Sequence, residues 1–179
     1  IEAILSPIND PPAEAVGIDG IEKIIKEKSL IKAYKDGKDK EARWNMMMAS
    51  TEGAMAFSKG LGAVHSMSHA TGANQELRLH HGTLNAVILP AVLEFNQNHV
   101  GNKYSRIARA MGKNDSINLA NEIRKLNENI GIPSGLAEMG VTEDMIPELV
   151  THSITDPSNL TTPRLPNEEE WEKLFLESM

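Results

Sequence analysis

Four of the chain's six histidines fall between positions 65 and 81, in the segment VHSMSHATGANQELRLHHG. Neutral imidazole offers a nitrogen lone pair suited to borderline cations, and its charge changes near neutral pH. His65 and His69 are four residues apart, so on a helix their rings leave one face about one turn apart. That spacing can clamp Fe(II), Zn or Ni, and a following helix that folds back can deliver a third nitrogen from His80 or His81. The plainer reading is two polar residues on one helix face, just as His99 and His152 are read as surface or capping residues. Two imidazoles do not close a catalytic metal site, which takes three or more protein ligands. Glu76 is the only acidic residue within the cluster. No His-Glu-x-x-His base pattern occurs, and no glycine-rich phosphate loop follows a strand. The residues alone describe a helical domain carrying half of a histidine-rich metal site.

The elements that must hold these histidines all follow helical periodicity. Ile18, Ile21, Ile24, Ile25 and Lys28 sit at helix spacing, and Asp36-Gly37-Lys38 marks a turn. A long helix is expected over 39–59, with a stripe of Ala42, Met46, Ala49, Gly53 and Ala56. Small residues there would admit a neighbouring backbone, which predicts a central, buried helix. A short helix follows through about Ala73, then an apolar one over 84–100, with Pro90 kinking it or marking its first third. Helices are also expected over 102–111 and 115–130, after Thr142 as N-cap, and after Asn167. The three-proline segment 156–166 reads as a surface loop. No alternation of strands and helices occurs, so the fold class is all-α. The opening Ile1-Glu2-Ala3-Ile4-Leu5-Ser6-Pro7 reads as the last turns of a helix stopped by proline, which makes a preceding segment an expectation.

Composition narrows the function classes. A chain of 179 residues with 40% hydrophobic side chains can bury a real core. A net charge of −7 without basic runs argues against nucleic acid as partner. The absence of cysteine excludes disulfides and thiolate chemistry and fits a reducing, cytoplasmic setting. The longest apolar stretches, such as 84–93, are about half of the ~20 residues a membrane span needs. Self-association into a homo-oligomer stays open, through exposed helical faces.

From position 60 onward the chain resembles the iron-containing (group III) alcohol dehydrogenases. The matching residues are Gly60-Leu61-Gly62-Ala63-Val64-His65-Ser66-Met67-Ser68-His69, Gly72-Ala73, His81-Gly82-Thr83-Leu84-Asn85-Ala86-Val87-Ile88-Leu89-Pro90 and Glu94-Phe95-Asn96. The small-residue helix around 49–57 and the ending at 160–164, followed by a Glu-rich helix, are similar as well. The resemblance therefore covers nearly the whole chain. It implies a C-terminal helical domain, residues 1–179, that binds metal and works with an N-terminal NAD(P)-binding domain absent from this chain. The family holds its metal with one Asp and three His in the cleft between those domains. By position, the resemblance makes His65 and His81 metal ligands, with His80 as the alternative to His81. It makes His69 a nearby non-ligand histidine lying toward the nicotinamide, a candidate for catalytic proton relay. The Asp and the first His ligand are expected just upstream of Ile1. Ala70 departs from the family pattern, which commonly has Pro after this histidine, and the 69–81 loop is slightly longer. The implied function is oxidation of a small alcohol or reduction of an aldehyde, with Fe2+ (or Zn2+) and NAD or NADP. The chain alone is expected to be inactive. The competing reading is a non-catalytic helical domain that binds a metal or a partner.

Overall fold

The computed structural model describes residues 1–179, all helical and without a strand. The chain divides into two compact units, one made of residues 1–60 and 100–117, the other of 61–99 and 118–179.

The first unit contains α1 (Glu2–Leu5), α2 (Pro11–Ile21), α3 (Ser29–Lys35) and α4 (Lys40–Met55). A 3-10 turn, Ala56–Lys59, extends α4, so the helix expected over 39–59 is present with its last turn tightened. Asp10 starts α2: its side chain accepts the Ala13 N–H at 3.1 Å, and Pro11 and Pro12 fill positions whose N–H groups would lack partners anyway. After α2 a π-turn, Glu22–Lys26, runs to Lys28, whose positive φ of 59° ends the helix and lets α3 begin. The small-residue stripe of α4 works only in part. Ala42, Ala49 and Ala56 are buried. A Cβ built on Gly17 of α2 would lie 3.3 Å from that of Ala56, so the two helices approach closely there. Gly53, by contrast, has nothing within 4 Å of where its Cβ would be. Trp44, Met47 and Met55 are each more than half exposed, so α4 is one-sided rather than the central buried helix expected from its sequence.

The second unit contains α5 (Ala63–Gly72) and α6 (His81–Asn96), the chain then passing through the first unit's α7 (Lys103–Ala110) before it resumes. It continues with α8 (Leu119–Asn129), α9 (Ile146–Thr155) and α10 (Glu168–Glu177). Its core joins Val64 and Met67 of α5 to Leu84, Ile88 and Ala91 of α6, and to Leu149, Trp171, Leu174 and Phe175. α6 runs uninterrupted through Pro90. The missing proline N–H frees the Ala86 carbonyl, and Asn127 of α8 supplies a replacement donor at 2.7 Å. α8 starts four residues later than its sequence pattern implied, because the Asn118 side chain caps it through the Asn121 N–H. Thr142 makes no side-chain cap; a 3-10 turn, Glu143–Met145, leads into α9 instead. Asn167 and Glu170 form a reciprocal capping box on α10.

Candidate metal centre

α5 is buried on nearly every side. Ala63, Val64, Ser66, Met67, Ser68, Ala70 and Thr71 are all inside, while His65 is half-buried and His69 exposed. Gly60, with φ of +81°, makes the turn that leads into this helix. The helix thus shows the surface one strip, and that strip carries the two imidazoles.

His81, the first residue of α6, completes a cluster of three rings. Its centroid lies 5.2 Å from that of His65 and 5.5 Å from that of His69, on which it stacks at 14°. The His65 and His69 rings meet edge to face at 5.7 Å. His80 is employed elsewhere: its Nδ1 accepts the Thr83 N–H at 3.3 Å and caps α6. Glu76 sits exposed on the turn after α5, and His99 and His152 lie at the surface.

Asn85, one turn along α6 from His81, reports where the imidazoles aim. Its Nδ2 lies 3.0 Å from His81 Nε2 and 3.4 Å from His65 Nε2. Both Nε2 atoms therefore converge on one point, occupied by an amide NH2 with partial positive charge. The other end of that amide, Asn85 Oδ1, is buried and has no hydrogen-bond partner. Buried Ser68 adds a support. Its hydroxyl donates to the His65 carbonyl at 3.1 Å, leaving its oxygen 3.5 Å from His81 Nδ1 as an acceptor. A proton on His81 Nδ1 leaves the Nε2 lone pair for the common point, the arrangement that orients an imidazole as a metal ligand.

The donor chemistry fits two ligand positions of a borderline divalent metal. It does not supply a closed set, since no group of three His, Cys, Asp or Glu side chains is arranged to hold a metal ion.

Sequence reasoning missed Asp156, which follows α9. Its Oδ2 lies 2.9 Å from His69 Nδ1, and its Oδ1 accepts the Ser158 N–H at 2.8 Å. Burial works against ionisation of this carboxyl, but hydrogen bonds from Ser158 and His69 outweigh it and hold its pKa below the usual range. Within the segment 156–166, expected to be a surface loop, Pro157–Thr161 forms a 3-10 turn packed against α5 and the rest is irregular. Asn159 accepts the Ser66 hydroxyl at 2.7 Å and donates to the Ser153 carbonyl at 2.6 Å. Thr161 donates to the Leu61 carbonyl at 2.7 Å. Leu160 and Leu165 project into solvent, 86% and 63% exposed. A separate cavity of about 580 Å³ between α6 and α8, lined in part by Pro90, Arg124 and Glu138, includes none of the histidines.

Comparison with known proteins agrees with this architecture. Residues 1–179 match the Fe-containing alcohol dehydrogenase family, C-terminal. The chain is 40% identical to the 4-hydroxybutyrate dehydrogenase of Cupriavidus necator, an alignment covering 100% of this chain and 48% of that protein. It is 34% identical to the 1,3-propanediol dehydrogenase of Citrobacter freundii, over 98% of this chain and 46% of that one. A crystal structure of 1,3-propanediol oxidoreductase superposes with a TM-score of 0.92 at 32% identity, over 99% of this chain and 48% of that one. The iron-containing alcohol dehydrogenase of Thermococcus thioreducens gives 0.86 at 30% identity, over 99% and 46%. The chain spans about half the length of these relatives. By sequence and by fold, it belongs to the iron-containing alcohol dehydrogenase family and corresponds to the C-terminal helical domain of its members.

Proposed function

We propose that His65 and His81 supply two imidazole ligands to a divalent metal, Fe2+ with Zn2+ as the alternative, in a metal-dependent, NAD(P)-linked alcohol dehydrogenase or aldehyde reductase. The observation that carries this reading is the aim of both Nε2 atoms at the single point now held by the Asn85 amide. A bound metal would supply Lewis-acid polarisation of an alcohol or carbonyl oxygen, and a nicotinamide would take or give the hydride. The chain's own residues do the positioning. Ser68 sets the His81 ring, Asn85 spans the two imidazoles, and His69 stands beside them as the group that exchanges a proton with the reacting oxygen.

The relatives' names support a small alcohol, diol or hydroxy acid as the substrate class. We also propose that this chain alone neither binds NAD(P) tightly nor oxidises alcohols. It has no strand, and therefore no βαβ unit of the kind that cradles a dinucleotide. Two neutral imidazoles give a cation no charge compensation, so the chain's own affinity for metal is expected to be low.

Zinc titration followed by calorimetry tests the ligand assignment. His65→Ala and His81→Ala should each weaken binding at least about tenfold, the scale of losing one ligand contact. His80→Ala and His152→Ala should leave it unchanged. Binding that survives His65→Ala, or that is lost in His80→Ala, would overturn the assignment.

A further inference from the structure

We infer that Asp156 is the positioning residue for His69: its Oδ2 fixes the proton of that imidazole on Nδ1 and leaves the Nε2 lone pair turned away from the carboxylate as the working nitrogen. The inference deepens the dehydrogenase reading and rests on it only for the use to which Nε2 is put.

An ionised carboxylate accepts hydrogen bonds and donates none, so a contact of 2.9 Å between Asp156 Oδ2 and His69 Nδ1 requires a hydrogen on Nδ1. In a neutral ring that leaves Nε2 as the acceptor. Asp156 has an ordinary structural duty as well, since it caps the turn that follows it. That duty is discharged by Oδ1 alone, which takes the Ser158 N–H at 2.8 Å and lies 3.5 Å from Ser66 Oγ. The second oxygen is surplus to capping, and it faces His69.

The carboxylate is held firmly enough to set the orientation of a ring that is 44% exposed, being itself only 14% exposed. Asn159 locks the turn from both ends of its amide, to Ser66 of α5 and to the last turn of α9. A half-exposed imidazole is thus tied to a fixed acceptor, the arrangement by which an outer carboxylate selects the tautomer of a working histidine.

Long-range proton–nitrogen correlation spectra of the 15N-labelled, metal-free protein read the tautomer of each imidazole directly. The expected result is His69 protonated at Nδ1 with an unprotonated Nε2. In Asp156→Asn, whose amide can donate to the ring, the His69 signals should move to the Nε2–H form while those of His65 and His81 stay in place. An Nε2–H tautomer for His69 in the unmodified protein overturns the inference, whether or not the variant folds. So does a folded Asp156→Asn protein in which the His69 signals are unchanged. The readout needs neither metal nor nucleotide, so its failure is separate from any failure of the zinc titration.

Discussion

Asp156 and His69 meet although 87 positions separate them, and the difference between them shows what a sequence can reveal about a site. His65, His69 and His81 are legible because their chemistry is rare in the chain and their spacing is local: a helix and the turn after it bring them together. Choosing His81 over His80 needs the cap, because only the structure commits the His80 ring to the Thr83 N–H. Asp156 carries no such signal. It is one of many acidic residues, placed before a proline in what reads as a loop, and its role comes from tertiary packing of that turn on α5. Asn85 reads only as a motif residue, and its reach to two imidazoles depends on how α6 meets α5. The Asp156 carboxyl also has a consequence for stability. A folded pKa below the ordinary aspartate value contributes stability that is full above about pH 3.9 and is lost as pH falls through the folded pKa. Asp156→Asn should therefore cost about 1 kcal/mol at pH 7, the scale of a hydrogen bond to a charged group discounted for partial exposure. As pH falls through that lowered pKa the two proteins should converge. Urea unfolding at about pH 7 and along an acid series checks this, and a gap that never narrows in acid would mean that the charge is not what stabilises.

Among the elements, helix existence is largely readable from periodicity, and the departures have local causes. Lys28 splits the first helical pattern through a left-handed backbone that its residue type does not announce, so α3 emerges as a separate helix. Pro90 reads as a kink because proline usually removes a hydrogen bond, and the repair by Asn127 comes from another helix. α4 misleads in a different way. A stripe of small residues implies close packing along its length, but only part of that stripe has a neighbour. This yields opposite expectations for two glycines. Gly53 is helical with open space at its Cβ position, so Gly53→Ala should stabilise the protein by up to about 1 kcal/mol through helix propensity alone. At Gly17 the added methyl would sit 3.2 Å from Ile4 and 3.3 Å from Ala56. Ala56 has no rotamer through which to yield. Crowding of about 1–3 kcal/mol should then exceed the propensity gain and leave Gly17→Ala destabilised. Denaturant midpoints of the two variants, measured side by side, should move in opposite directions; equal shifts would refute the packing argument.

At the scale of the whole molecule, the sequence shows one uninterrupted helical chain and no linker, whereas the structure has two units. The first is assembled from segments 1–60 and 100–117, and such discontinuity leaves no compositional mark at the boundaries. Each unit has its own polar anchor. In the first, Lys59 is 1% exposed, its ammonium 3.2 Å from the Glu14 carboxylate and bonded to the Ile8 carbonyl. Burial pulls its pKa below the ordinary lysine value, so the charge is carried at a cost that the adjacent Glu14 carboxylate offsets. Removing one partner of such a pair leaves an uncompensated buried charge, typically about 3–5 kcal/mol. Asp10 also favours the charged form of Lys59, which places Glu14→Ala near the lower end of that range. Every residue that builds the histidine cluster, from Gly60's successor Leu61 to Asn85 and from Ser153 to Thr161, belongs to the second unit. Glu14→Ala should accordingly speed amide exchange in α2 and α4 while leaving the imidazole signals of His65, His69 and His81 where they were. Exchange and imidazole spectra on one labelled sample decide it. If the histidine signals shift together with the α2 amides, the cluster depends on the first unit, and its geometry is not the property of the second unit alone.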